Sequence, residues 1–562
     1  MVSAELSPYA RGSEVGDVVA GLSKALRQLG HRVTLALPRH PGFDAGGLLM
    51  ARRLTPLSLN GTDLTVLDGQ LASGVELALF DDPPLYDRPS VFGEGEGYAD
   101  NLARFAVLCR GAVALARLRA EQGKPFEVVH AFDAPAAAIP ALLKESPALA
   151  LPTLLSVLDT ERAGRFSSGA HQAFPGLRGM IGDSLSLLEL GLGNAQLIVA
   201  GSEDAARELG TPRVSGALAP SLVGERTPHA VSSGLDYALF NPATDTAIPA
   251  RFDAEDASNK GRCKSAVLTE LSLELELDRP LVFALASSAA EAQLLLGALP
   301  LLLKNDIAVV AWVPAGSAAE LDRLVADYPA DLARLKDGGD AARRRALSAA
   351  DFAICLDAGS LTPASLQAAQ RYGAVPIALA QGAVVDALID CAADLETGTG
   401  FLFDSADGDA LLGAATRAFS AYGSPGHTRL RRRVMRLDVS WERVARRYAQ
   451  LYRKAASCPQ GYALTQPPAP PADCPATAGL PLTPGAPASD GDALPPSAAP
   501  PAPAAPAPPA PPAPPTSTTS TRSQVANCSL SWAVARQGDS SRHDGAFSYA
   551  LTQAVTLSSK YS

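Results

Sequence analysis

Few side chains in this chain are spaced for chemistry. Seven cysteines (Cys109, Cys263, Cys355, Cys391, Cys458, Cys474, Cys528) are scattered without a CxxC pair. They read as the reduced thiols of a cytoplasmic protein rather than as a zinc site or a disulfide framework, although Cys458 and Cys474, on either side of a Pro-rich segment, could pair. No metal and no cofactor is expected. His130 ends the apolar run Val128–Ala131 with Ala131, and a histidine on a buried strand is expected to be a hydrogen-bonded core residue. Ser13 and Glu14 stand directly before an apolar helical stripe. Ser13 as N-cap and Glu14 in the first turn would stabilise the start of that helix. In the second half, the apolar run Leu281–Ser287 leads into Ser288-Ala289-Ala290-Glu291-Ala292-Gln293, a junction without a cation.

The elements that must position these residues are legible as periodicity. Val15, Val18, Val19, Leu22, Leu26 and Leu29 fall on one helical face, and Gly30 follows where a left-handed cap belongs. Arg32–Leu37 reads as the next buried strand, followed by Val128–Ala131, Leu197–Ala200, Leu281–Ser287, Ile307–Val313, Phe352–Leu356 and Val375–Leu379. Helical windows such as Ala318–Tyr328 lie between them. The alternation predicts two doubly wound parallel-sheet domains. Only Val2–Leu6 is available for the strand before the loop Pro8–Ser13. That is short for a position usually central, and reads as a truncated chain or an upstream start. A last helix from about Ser440 carries its apolar face on Trp441, Val444, Ala445, Tyr448, Leu451 and Tyr452.

The 562 residues are 47% hydrophobic and 19% charged, with net charge −10. An acidic balance of this kind argues against a nucleic-acid surface or an anionic membrane, which require concentrated Lys and Arg. No charged and apolar leader opens the chain, and no apolar run reaches the ~18 residues of a membrane span, so a cytoplasmic location is expected.

Ser233-Gly234-Leu235-Asp236-Tyr237-Ala238-Leu239-Phe240-Asn241-Pro242-Ala243-Thr244-Asp245, followed by Lys260, Cys263-Lys264 and Glu270-Leu271, resembles a signature of the bacterial glycogen synthases and plant starch synthases (glycosyltransferase family 5). The resemblance continues in Ser3–Tyr9, Gly16–Val19, Asp87-Arg88-Pro89, Tyr98–Phe105, Arg371–Pro376, Gly398–Phe401 and Ser440–Arg443. It covers about 2–454. It implies a GT-B architecture, two Rossmann-like domains facing a cleft, and glucosyl transfer from ADP-glucose to an α-1,4-glucan. Implied domains are 1–240 and 241–457, the second with a terminal helix, about 440–454, packing back on the first.

The residues that the family uses to hold the sugar nucleotide are largely replaced. Its Lys-Thr-Gly-Gly loop corresponds to Arg11-Gly12-Ser13-Glu14, which keeps the cation as Arg11, while Asp17 is also retained. There Glu14 brings a carboxylate to the place meant for phosphate. Pro135 stands where the family has a sugar-contacting histidine, and Ser288 where an arginine, with a lysine further on, neutralises the diphosphate. Ser360 replaces the acidic residue of the Glu-Pro motif, and only Gly382 remains of a second glycine pair. No convincing catalytic residue is left; Arg11, Asp17 and Gly382 are substrate-binding remnants. The alternative to a working synthase is an inactive pseudo-glycosyltransferase, a glucan-binding, regulatory or scaffolding subunit. Either way, ADP-glucose and α-1,4-glucan are the implied ligands, the former weakly bound.

Residues 458–520 are dominated by Pro and Ala, including the run Pro506–Pro515. Such a stretch cannot bury enough apolar surface to fold and is expected to be a disordered, extended arm, with a protein partner as one possible role. Residues 521–562 carry no clear pattern. Limited proteolysis should remove everything beyond about Lys454 and leave a stable core; an arm as resistant as the core would contradict this.

Overall fold

Short Val-, Leu- and Ala-rich runs form parallel strands here because each is buried on both faces by flanking helices. The computed structural model describes residues 1–457 except 60, 96, 150, 161–163, 168, 178–184, 225, 357–361 and the side chain of residue 217. Met1–Ala472 belongs to one compact unit. The second unit, Asp473–Ser562, and the expectations for 458–520 and 521–562 lie outside the described residues.

The described residues build two hydrophobic clusters, here termed lobes. The N-terminal cluster runs from Val2 to Val231 and takes in Ala445, Tyr448, Leu451 and Ala455 of the terminal helix Trp441–Ser457. The second cluster runs from Leu235 to Met435.

In the N-terminal lobe, Thr34–Pro38 pairs in parallel with Glu76–Asp81, and Val129–Phe132 with Thr153–Val157 and then Leu197–Ala200. Val2 bridges the two groups, parallel to both Ala36 and Ala131. The opening segment is therefore central, as the doubly wound pattern requires, but shorter than Val2–Leu6. After Val2 and Ser3 the chain leaves the ladder, and Glu5 turns to the following loop.

The C-terminal lobe has six parallel strands in spatial order Leu332–Arg334, Ala308–Trp312, Leu281–Leu285, Phe352–Cys355, Val375–Leu379, Phe401–Phe403. By chain order this is 3-2-1-4-5-6, whose topological switch point lies between the strands ending at Leu285 and Cys355. The first strand stops two residues before its expected end because the Ser287 N–H donates to the Glu291 carboxylate instead of to a neighbouring strand.

The first helix is Val15–Gln28, and Gly30 follows with φ +91° in the expected left-handed conformation. Trp441 enters between it and the 233–236 motif. A Cβ on Gly21 would stand 2.2 Å from the indole, and one on Gly234 2.6 Å from the Trp441 nitrogen, so both glycines are required for close approach. His130 is buried as expected, with Nδ1 2.8 Å from the Tyr452 hydroxyl and Nε2 2.8 Å from Ser156 Oγ. These bonds tie the terminal helix to the N-terminal sheet. Among the described residues, no helix is long and apolar enough to cross a membrane, and no cluster of His, Cys, Asp or Glu could hold a metal ion.

Candidate functional site

The loop before the first helix folds around Glu5. Its buried carboxylate accepts the backbone N–H of Gly12 at 2.8 Å and of Ser13 at 2.5 Å through Oε2, and the Ser13 hydroxyl at 2.9 Å through Oε1. Ser13 is therefore not the N-cap. Glu14 holds that position without a side-chain cap bond, and Ser13 Oγ instead accepts the Val15 N–H at 3.1 Å. The attraction of a buried carboxylate for two amides and a hydroxyl outweighs a single capping bond. Arg11 lies 2.8 Å from Asp17 in an exposed ion pair, so the two charges offset one another.

The other side of the cleft repeats the pattern. Ser288 caps the helix Ala289–Leu302, its Oγ accepting the Glu291 N–H at 3.2 Å. Glu291 returns its carboxylate to the N–H groups of Ser287 at 2.6 Å and Ser288 at 3.2 Å, completing a capping box. The helix end beside the switch point thus carries its own anion. Gly382 has φ +56°, and its N–H donates to Asp204 of the N-terminal lobe at 2.9 Å. Ser360 lies outside the described residues; nearby, the Thr362 hydroxyl donates to Glu14 at 2.7 Å across the cleft.

Two pairs of backbone N–H groups, at Gly12–Ser13 and Ser287–Ser288, and the single N–H of Gly382 therefore face carboxylates of this chain. The cleft of about 590 Å³ is lined by Arg11, Lys24 and Arg343 against Glu14, Asp17, Asp236 and Asp340. Lys24 pairs with Asp236 at 2.7 Å, and the Arg343 guanidinium lies over the Trp312 ring at 4.6 Å. The lining thus sets three cations against four carboxylates.

A second cavity of about 430 Å³ lies wholly in the N-terminal lobe. Phe92, Tyr98, Phe105, Phe132 and Phe166 contribute aromatic walls, and Glu5, Asn101, Asp133 and Asp159 polar groups. Pro135 lines it as well, buried in the turn Asp133–Ala136, where its carbonyl accepts the Cys109 thiol at 3.2 Å. Asp133 (φ +53°) accepts the N–H groups of Leu158 at 2.7 Å and Asp159 at 3.0 Å through Oδ1, while Oδ2 is buried without a partner. Burial, with Asp159 and Glu5 adding smaller repulsions, raises its pKa to about 8.

A folded pKa above the unfolded value means that the native state holds the extra proton between about pH 4 and 8, so the stability present below that window is lost as pH rises through it. Asp133→Asn should keep the accepted bonds and remove this dependence. Relative to the parent, the variant should gain on the order of 3 kcal/mol at pH 8 over its difference at pH 5, judged by urea unfolding. Parallel curves at the two pH values would refute the assignment.

Periodicity pointed to the helix start at Val15 but not to the carboxylate that meets the amides before it. The Ser288-x-x-Glu291 spacing is a readable capping signature. Glu5 and Asp204 leave no such trace, because each meets its amides through the fold.

A family model described as the starch synthase catalytic domain matches residues 1–223. A glycogen synthase of Bordetella bronchiseptica is 32% identical over 500 residues, covering 82% of this chain and 96% of that protein. One from Anaeromyxobacter dehalogenans is 31% identical over 485 residues, covering 81% and 98%. The fold is similar to that of the catalytic domain of starch synthase IV from Arabidopsis thaliana, solved bound to ADP and acarbose, with TM-score 0.68 and 24% identity over 81% of this chain and 99% of that one. With the two-lobed α/β fold, these likenesses establish that the chain belongs to the glycogen synthase and starch synthase family.

Proposed function

We propose that this chain is a glycogen synthase-type protein that engages α-1,4-glucan without transferring glucose to it from ADP-glucose, and so serves as a glucan-binding or scaffolding subunit. The observation that carries the reading is that Glu291 takes the N–H groups of Ser287 and Ser288, and Asp204 that of Gly382. A metal-free transferase has only its own cations and amide dipoles with which to stabilise a leaving diphosphate. In this reading Arg11, Asp17 and Gly382 are remnants of a donor site, and Pro135, Ser288 and Ser360 occupy positions from which its chemistry has been lost. The aromatic walls of the N-terminal cavity suit the apolar faces of a sugar, and its polar groups suit the hydroxyls. The reading needs no nucleic acid and no membrane; it places the protein in the cytoplasm and leaves the Pro-rich arm for a protein partner.

The test is a transfer assay with labelled ADP-glucose and glycogen, run beside co-sedimentation of the full chain with glycogen. The expected result is co-sedimentation with no incorporation of label. Incorporation at the rate of a working synthase would overturn the proposal, and absence of the chain from the glycogen pellet would remove its glucan half.

A further inference from the structure

Two hydrogen bonds between the lobes form a reciprocal pair. The helix Glu203–Leu209 packs on the N-terminal cluster through Ala206 and Leu209, and the helix Ala383–Ala387 on the C-terminal cluster through Val384. Asp204, in the first turn of one, accepts the Gly382 N–H at the start of the other at 2.9 Å. Asp386, in the second, accepts the Glu203 N–H at the start of the first at 2.7 Å. Each lobe thus offers one backbone N–H and one carboxylate, and each contact is a charge-assisted hydrogen bond. Asp204 is held from behind by Arg207 at 2.6 Å. Gly382 reaches its position with φ +56° and ψ −136°, a conformation open to glycine and strained for other residues.

We infer that Asp204 and Asp386 form a latch that holds the two lobes together. Separation of the lobes breaks both bonds together and exposes two N–H groups and two carboxylates to water. The Glu14–Thr362 bond spans the cleft in the same sense but lies on a different pair of elements. The latch is independent of whether glucose is transferred, because it concerns only contacts between the lobes.

Hydrogen exchange of the full-length protein, without ligand, tests it through the amides of Glu203 and Gly382. A local contact protects only its own amide, whereas a latch couples the two. In Asp386→Ala, both the Glu203 amide, which loses its acceptor, and the Gly382 amide, which keeps Asp204, should exchange roughly ten- to hundredfold faster. Asp204→Ala should give the same pair of effects from the other side, and Asp204→Asn, which retains an acceptor, should restore most of the protection. Protection of the core strand Leu281–Leu285 should stay unchanged in each and reports that the variant is folded; should one alanine variant fail to fold, the other reads the same coupling. Acceleration confined to the amide whose own acceptor was removed, or no acceleration at either, would overturn the latch.

Discussion

Donor affinity should return only when several positions are changed together. Ser13→Gly and Glu14→Gly would clear side chains from the first helix start, Ser288→Arg would supply a cation beside the switch point, Pro135→His and Ser360→Glu would supply polar groups, and the loop after Ser288 would need rebuilding to carry a lysine. Glu291 and Asp204 would also have to be replaced by alanine to free the Ser287, Ser288 and Gly382 amides. A charge-assisted hydrogen bond contributes roughly 1.5–3 kcal/mol, so a missing Arg and Lys together account for about 3–6 kcal/mol. At about 1.4 kcal/mol per decade, that is two to four orders of magnitude in ADP-glucose affinity. Single reversions should each change affinity by less than about tenfold, since groups that act as a unit are strongly non-additive. Ser288→Arg illustrates why: its guanidinium would meet Glu291, whose carboxylate already accepts the Ser287 and Ser288 amides. A single substitution that produced micromolar binding by calorimetry would contradict this account.

Asp351→Ala should cost about 3–5 kcal/mol and lower the apparent melting temperature of the C-terminal lobe by roughly 10 °C. Asp351 and Lys264 form a buried pair at 2.8 Å, with side chains 7% and 5% exposed. Asp351 joins the starts of three central strands. Its Oδ2 accepts the Leu281 N–H at 3.0 Å, its own N–H donates to the Leu281 carbonyl at 2.7 Å, and its carbonyl accepts the Val375 N–H at 2.9 Å. Lys264 donates further to the Leu277 and Arg279 carbonyls and to the Tyr422 hydroxyl. Removal of the carboxylate leaves this ammonium buried with neutral acceptors alone, which is the expensive way to break such a pair. Asp351→Asn, which keeps acceptor and shape, should cost distinctly less. Thermal melts of the two variants beside the parent decide it; equal small losses would show that the charge is immaterial.

The fold was largely legible because it rests on periodic apolar runs. The stripe from Val15 to Leu29 and the runs around Leu197, Phe352 and Val375 became the helix and strands expected of them, within a residue or two. The strands Thr62–Gln70 and Glu76–Asp81, an antiparallel pair in the N-terminal sheet, escaped the sequence reading. Other errors fell at element ends, where a polar side chain from elsewhere competes for backbone groups. Glu291 shortens the strand that begins at Leu281, and Glu5 draws Ser13 out of the capping position. Through the family resemblance the site was readable only as aligned positions, not as an arrangement. Asp204 lies 178 residues from Gly382, and Glu5 takes its amides from a loop eight residues away. Neither spacing carries a periodic signal, so the occupation of the helix starts could be seen only once the chain was folded.

The central claim is that carboxylates of this chain occupy the places a diphosphate would take. Calorimetric titration of the unmodified, full-length protein with ADP-glucose tests it most directly. The account predicts no saturable heat below about millimolar nucleotide, consistent with a loss of two to four orders of magnitude. A single-site isotherm with micromolar affinity would contradict it.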